Sequence, residues 1–457
     1  MLETIWKKIR RIPPVLFIVL GIILTAAILR IKLYGDPSLS IANNDTISYV
    51  TASRVPLFSS EILTGRRLLT TNLIYKALVP DKFEITANGS LSTSRRMVQP
   101  GFEGVVQFQL IMSIIGWGFL ALTVAQFLKN PLMKVLGSTL VLLFAFTPHM
   151  ADWDSILMSE SPTFSLFALH FALLIRLVFA LYRDPDANAG WLLAAWAVVF
   201  FLWMFLRDTN LVAALVTLGV FAALLIFRQY RRNKYLLGVL VFLLAVFLLG
   251  LITSSQSVRS HVQLVNIYND DLLRYPARVD TLMELGMPDP ETPEYSAWFK
   301  EHATSTLVKF MVSHPGYPIH KILKDFPVAF ARIQQTYFKA PELNPAREWL
   351  MHLGDALHPE NTTPFLMSLT LLVGILYITA GNRPGATPWS WLGIWLFLTA
   401  TITMIPTILG DTWALNRHAL FSTMSFRLGM WLFTVVMMDL AIGKDVPETV
   451  PASKNPT

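Results

Sequence analysis

The chain contains no cysteine. Disulfides, thiolate-bound zinc, iron–sulfur clusters and thiol nucleophiles are excluded together. Charge is also scarce. Asp, Glu, Lys and Arg make up 15% of the 457 residues, against about 25% in soluble globular chains. No internal repeat is visible, and no pair of inverted halves of the kind many transporters carry. What is abundant is apolar: 54% hydrophobic residues, 30 Phe and 13 Trp, with a mean hydropathy of +0.51. Water cannot be the main solvent of such a chain. A compact cytosolic enzyme, a disordered chain, a collagen and a coiled coil are therefore excluded. The net charge of +7 would suit a nucleic-acid partner. The basic residues, however, sit in short runs beside apolar segments, which is the pattern of membrane anchoring, so no nucleic acid is expected.

A membrane helix needs about 20 mostly apolar residues. About ten segments qualify: 15–33, 105–128, 135–146, 159–181, 191–206, 211–227, 236–254, 364–380, 389–409 and 419–442. The third is short, with its boundary near Thr147 least defined. Lys7, Lys8, Arg10 and Arg11 precede the first segment. Lys129 and Lys134, Arg183, the run Arg228, Arg231, Arg232 and Lys234, then Arg383, and finally Lys444 with Lys454 fall in alternate loops. The opposite short loops hold only Arg207 and Arg417. This asymmetry predicts cytoplasmic N- and C-termini. The first segment is long and lacks a clear cleavage site, so it reads as an uncleaved signal anchor. The expected product is an all-α, polytopic membrane helical bundle in the inner (cell) membrane. Its parts are an N-terminal transmembrane core (1–254) with a first extracytoplasmic loop (34–104), an extracytoplasmic helical region (255–363), C-terminal transmembrane helices (364–442) and a disordered cytoplasmic tail (443–457). Turn signals at Met287–Pro290 and His314–Gly316, and an amphipathic stretch at 297–312, predict that region 255–363 is a small helical cap.

The polar residues that interrupt apolar sequence gather at the outer ends of the predicted spans. They form four stretches: Asn43 to Tyr49, His149 to Ser161, Leu206 to Asn210 and Gly410 to His418. Ionisable groups at membrane depth are costly and by default suggest function. Asp45 or Asn44 caps the helix that follows, worth about 1 kcal/mol, or else Asp45 is a general base for an acceptor hydroxyl. Asp152, Asp154 and Glu160 would repel one another unless a cation sits between them. A magnesium or manganese ion with oxygen ligands, and His149 adding a nitrogen, would resolve that; capping of the fourth span by Asp154 or Ser159 is the alternative. Arg207 is either paired locally with Asp208 or is a fork for phosphate oxygens. Arg417 and Arg207 both run against the positive-inside bias. His418 lies beside Arg417, and Arg66, Arg67 and Lys76 add positive charge near the same face. The spans themselves are nearly free of acids; Asp439, near the inner end of the tenth, is the main exception.

Four motifs then carry a resemblance: NDTISYVTASR after the first span, LTGRRLLTTNLIYKAL in the same loop, DWDSILMSESPTFSLFAL leading into the fourth span, and NRHALFSTMSFRLGMWL opening the last. In order and sidedness they resemble the GT-C superfamily of membrane glycosyltransferases, and within it the bacterial branch of protein O-mannosyltransferases and aminoarabinose transferases. The resemblance covers roughly residues 15–440. It implies a GT-C-like bundle and a polyprenyl-phosphate-linked sugar donor. It further implies Asp45 as catalytic base, Asp154 with Asp152 and Glu160 completing an acidic site or holding a metal, and Arg207 at the lipid phosphate. Relatives often pair two acids in the first loop, whereas here Asn44 precedes Asp45, which weakens the case for metal dependence.

The function expected is transfer of a sugar, with inversion, to a hydroxyl on an extracytoplasmic glycan, lipid or protein. Asp45 and Asp154 are the catalytic candidates. Arg207, Arg417, His418, Arg67, Lys76 and Glu160 are the substrate-binding candidates, and Asp152 with Asp154 the metal candidates. A lipid-linked glycan polymerase or ligase is an alternative, as is a secondary transporter, which predicts charged groups near the bilayer midplane instead.

Overall fold

The structure is a computed structural model that describes residues 13–43, 45–79, 101–184, 189–339, 344–381, 383 and 385–442. Asn44, the basic residues Lys7, Lys8, Arg10 and Arg11, and the tail with Lys444 and Lys454 lie outside the described residues. The described chain is an all-α polytopic bundle, with a single isolated bridge between Ile41 and Ile156 in place of any strand.

In chain order the helices are α1 (Pro14–Tyr34), α2 (Thr46–Ala52), α3 (Glu61–Thr64), α4 (Leu69–Leu78), α5 (Glu103–Phe127), α6 (Pro131–Phe146), α7 (Pro148–Ala151), α8 (Glu160–Arg183), α9 (Gly190–Met204), α10 (Asn210–Ala223), α11 (Lys234–Ser255), α12 (Val258–Ile267), α13 (Pro276–Glu284), α14 (Glu294–Ser313), α15 (Gly316–Ala329), α16 (Ala346–Leu357), α17 (Thr363–Ala380), α18 (Ala386–Gly410), α19 (Leu415–His418) and α20 (Leu420–Ile442). Each of the ten apolar segments forms a helix. Seven of these are long and apolar enough to cross a membrane unaided: α1, α5, α8, α11, α17, α18 and α20. α9 and α10 are shorter apolar helices, because the chain turns at Phe205–Thr209.

The short third segment has a covalent cause. Pro148 has no amide hydrogen to continue α6, and it drives Thr147 into extended backbone (ψ 152°). The chain bends by 56° there, and α7 with the following turn runs Pro148–Ser155. That bend directs Asp152 and Asp154 inward.

α5 and α8 form the centre of the bundle. They approach so closely that a Cβ at Gly116 would collide with the Ser165 carbonyl. α1 lies outermost, with only 11% of its apolar window buried. At one end of the bundle, Asp439 of α20 accepts hydrogen bonds from the Lys129 and Asn130 amides (2.7–3.0 Å). This acid is therefore a fastener for the α5–α6 turn. At the opposite end, the segment after α1 is tied to the turn after α7: Ile41 N donates to Ser155 O (2.8 Å), and Leu157 N donates to Ile41 O (2.9 Å). The helices of region 255–363 sit at this same end. α12–α14 and their connections enclose a hydrophobic cluster of their own around Tyr268, Leu282, Phe299 and Phe310. The amphipathic stretch at 297–312 is part of α14, and the His314–Gly316 turn signal separates α14 from α15.

Candidate active site

The cavity at the cap end is about 330 Å³ and is lined from six parts of the chain. Asp45 stands just before α2. Although it occupies the N-cap position, its side chain makes no capping bond. Asn43 does that work instead, with Oδ1 accepting from the amides of Asp45 (2.8 Å) and Thr46 (3.0 Å). The Asp45 carboxylate is thus released to face the cavity. Arg67, in the turn before α4, lies 3.7 Å above the Tyr49 ring and donates to Ser48 Oγ (2.9 Å). Glu160 sits in the first turn of α8, where the helix dipole favours an acid. Arg207 follows α9, and Arg417 and His418 belong to α19.

Ion pairs knit these groups. Arg417 Nη2 donates to Asp45 Oδ2 at 2.8 Å, and Arg67 Nη2 stands 3.8 Å from Asp45 Oδ1. Glu160 Oε1 lies 3.8 Å from Arg207 Nη1 and 4.0 Å from Arg417 Nε. Arg417 Nη1 donates to the Tyr337 hydroxyl at 3.1 Å. Burial would raise the proton affinity of Asp45, but Arg417 and then Arg67 outweigh it and hold the carboxyl below its usual range. Burial and the neighbouring Arg207 push the His418 imidazole down to about 4, so His418 is neutral. Burial alone would lower the proton affinity of Arg417; Glu160, Tyr337 and Asp45 reverse that and raise it.

Two features favour an anionic occupant. Five arginines (Arg66, Arg67, Arg207, Arg259 and Arg417) line the cavity against four carboxylates (Asp45, Glu160, Asp208 and Asp411). In addition, Arg207 Nη1, Arg259 Nη2 and Arg417 Nε are buried without a hydrogen-bond partner. An unsatisfied buried donor costs about 1–3 kcal/mol, a cost that an oxyanion reaching any of these guanidinium groups would offset.

A second cavity of about 840 Å³ lies between α10 and α18, its lining about one helical turn from that of the first. Val212 and Pro406 line the cation cavity; Leu215 and Ile402, one turn further along each helix, line the apolar groove. The groove runs past Val216, Gly219, Ile394 and Leu398 to Tyr182 and Tyr230 near the other end of the bundle. From Leu215 to Phe227 that is about 18 Å at the helical rise.

Several sequence expectations need revision. Asp154, expected to be catalytic or metal-binding, does not line the cavity. Its Oδ2 pairs with Arg30 Nη2 (2.7 Å), and its Oδ1 accepts from Ser113 (2.8 Å) and Ser161 (2.6 Å). Asp152 lies 3.5 Å from Arg347 Nη1. A divalent ion seeks carboxylate oxygens free of other cations, and here each of the two acids already faces a guanidinium. The donor set therefore does not fit magnesium or manganese. No group of three or more His, Cys, Asp or Glu placed to hold a metal occurs among the described residues. His149 stacks on His358 (5.3 Å between ring centroids) and pairs with Asp355 (3.1 Å). Lys76 turns away from the cavity and donates to the carbonyls of Ser53 (3.0 Å) and Val55 (2.9 Å). Asp208 pairs with Arg259 (3.0 Å) in place of Arg207. Arg259, Tyr49 and Tyr337 are members of the site that the sequence reading did not single out. For Arg259 a signal existed: it is a cation standing just beyond the end of the seventh apolar run.

The sequence matches no family model and no curated protein. The structure is similar to solved structures of an oligosaccharyltransferase from the archaeon Archaeoglobus fulgidus. One, tethered to an acceptor peptide containing the NVT sequon, aligns with a TM-score of 0.44 and 12% identity over 92% of this chain and 49% of that one. A second, named AglB and in complex with an inhibitory peptide and a dolichol-phosphate, gives 0.44, 12%, 92% and 50%. A third, in complex with Zn and sulfate, gives 0.43, 12%, 92% and 49%. The chain thus spans about half the length of the structures it matches.

Proposed function

We propose that the protein is a membrane glycosyltransferase of the GT-C type, moving a sugar from a polyprenyl-phosphate donor to an acceptor hydroxyl at the extracytoplasmic face of the inner membrane. The observation that carries this reading is the close neighbourhood of two unlike cavities. An arginine-lined pocket holding a carboxylate lies one helical turn from a long apolar groove, and an amphiphile with an anionic head and a long hydrocarbon tail matches the two together. A soluble nucleotide-sugar would leave the groove without a partner.

In this reading the tail lies between α10 and α18, and the phosphate meets the unspent donors of Arg207, Arg259 and Arg417. Asp45 accepts the proton of the acceptor hydroxyl. That oxygen attacks the anomeric carbon from the face opposite the phosphate, the new carbon–oxygen bond forms, and the bond to phosphate breaks. The electron pair stays on the phosphate oxygen, whose growing charge the guanidinium groups neutralise; such preorganised stabilisation is usually the largest catalytic term. Configuration inverts. α12, through Arg259 and Gln263, forms one wall of the site and limits access of water. In this orientation 255–363 is the extracytoplasmic cap, and both termini are cytoplasmic.

The test is mass spectrometry of lipid that co-purifies with the protein, followed by transfer assays with the lipid found. A polyprenyl phosphate or its monosaccharide conjugate is expected. Recovery of bilayer phospholipids alone, together with no transfer from a polyprenyl-phosphate sugar, would remove the reading.

A further inference from the structure

We propose that the donor's phosphate itself frees Asp45 to act as base, because phosphate and carboxylate compete for the same two guanidinium groups, Arg417 and Arg67. This rests on the function proposed above and adds an order of events: the base stays clamped until the donor has bound.

The geometry is that of a shared hub. Arg417 touches Asp45 through Nη2 (2.8 Å), approaches Glu160 through Nε (4.0 Å) and donates to Tyr337 through Nη1 (3.1 Å). Its fourth neighbour is His418, whose Nε2 lies 3.1 Å from Nη2. His418 Nδ1 is hydrogen-bonded to the Asp411 carboxylate. An ionised carboxylate can only accept, so Nδ1 carries the proton and Nε2 presents its lone pair to Arg417. Tyr337 and His418 are neutral partners and keep their hold whatever happens on the acidic side. The Asp45 and Glu160 contacts are the ones an incoming anion displaces.

The charged and titratable groups around Asp45 come from every wall. Arg66 and Arg67 stand before α4, Tyr49 on α2 and Glu160 on α8. Arg207 with Asp208 follows α9, Arg259 lies on α12, Tyr337 on the 331–339 segment, and Asp411, Arg417 and His418 between α18 and α20. The guanidinium groups at present suppress the proton affinity of Asp45. A phosphate changes this twice, in one direction. It draws Arg417 and Arg67 toward itself, and it adds a negative charge opposite the carboxylate. Both raise the affinity of Asp45 for a proton. A base that strengthens only with donor in place does not activate water in the empty site.

The experiment uses the full-length protein in nanodiscs and a dialkyl phosphodiester, dioctyl phosphate, as probe. This probe keeps one negative charge across the working pH range. If carboxylate and phosphate compete, Asp45→Asn binds the probe about tenfold more tightly than wild type near neutral pH, a typical size for coupling between two ligands. Calorimetry in buffers of different ionisation enthalpy, at mildly acidic pH, should also show wild type taking up a fraction of a proton on binding, an uptake that Asp45→Asn diminishes. Equal or weaker probe binding by folded Asp45→Asn overturns the proposal. So does wild-type binding without proton uptake, which needs no variant and leaves the phosphate site standing. Failure of wild type to bind the probe at all removes the phosphate site itself.

Discussion

Among the described residues, an inner acid–arginine pair, Asp154 with Arg30, and the outer cluster around Asp45 are built to opposite ends. In the inner one, Asp154 meets Arg30 at 2.7 Å and accepts two serine hydroxyls, with 1% of the acid exposed. Gln109 secures the same turn through the carbonyls of Asp154 and Ile156 (both 3.0 Å), and Arg30 also donates to Ala145 O (2.7 Å). The charge on Asp154 is fully spent. In the outer cluster Asp45 is half-buried, the Glu160 pairs are long at 3.8 and 4.0 Å, and donors on Arg207, Arg259 and Arg417 are unspent. A saturated pair fastens helices together; an unsaturated one awaits a ligand. The same residue types give an anchor in one place and a candidate active site in the other. What distinguishes them is how many hydrogen bonds remain to be made.

The sharpest way to break this contrast is to remove one acid from each cluster. Asp45→Asn should cost about 10²–10⁴-fold in sugar transfer while leaving thermal unfolding in detergent nearly unchanged. Near wild-type turnover would take Asp45 out of the mechanism. Asp154→Ala should do the reverse. It strands the Arg30 guanidinium, at a cost of about 3–5 kcal/mol for a broken buried pair, so folded yield and unfolding temperature fall. The double variant Arg30→Met with Asp154→Leu should recover much of that loss. If Asp154→Ala instead folds as well as wild type and loses only transfer, the inner cluster is not an anchor.

Smaller effects sharpen the outer cluster. Arg207→Ala removes a charged donor worth about 1.5–3 kcal/mol, and so should weaken binding of a phosphodiester lipid by about tenfold to a hundredfold, with Arg207→Lys in between. Equal affinities for all three proteins would exclude Arg207 from the phosphate. Last, exhaustive chelation of divalent cations should leave transfer unaltered, since the acids are matched by guanidinium groups. Activity lost with chelator and restored by magnesium or manganese would show that a metal enters after all.

Much of this outer cluster was legible without coordinates. Asp45, Glu160, Arg207 and Arg417 interrupt apolar sequence at alternate ends of predicted spans, and burying a charge is expensive enough to make each such position informative. Arg67 and His418 followed from their neighbourhood. Lys76 shared that neighbourhood and still turned away, because a single helical turn in α4 decides which side a residue faces. Asp152 and Asp154 misled for a related reason. Acids close in sequence look like a metal site, whereas their partners Arg30 and Arg347 lie far off along the chain. Arg30 was itself a signal, as a cation within the first apolar run. Tyr337 gave none: polar aromatic residues are ordinary in a surface segment.

By itself, the sequence determined the number and order of apolar helices and the end of the bundle at which polar groups collect. These depend on local hydropathy and on alternation along one dimension, and the solvent enforces both. Tertiary structure alone decided the pairing. Arg30 reaches Asp154 across 124 residues and Arg417 reaches Asp45 across 372. In an apolar medium an acid must meet whichever cation the packing brings to it, and helix packing is a three-dimensional property that spacing along the chain does not encode.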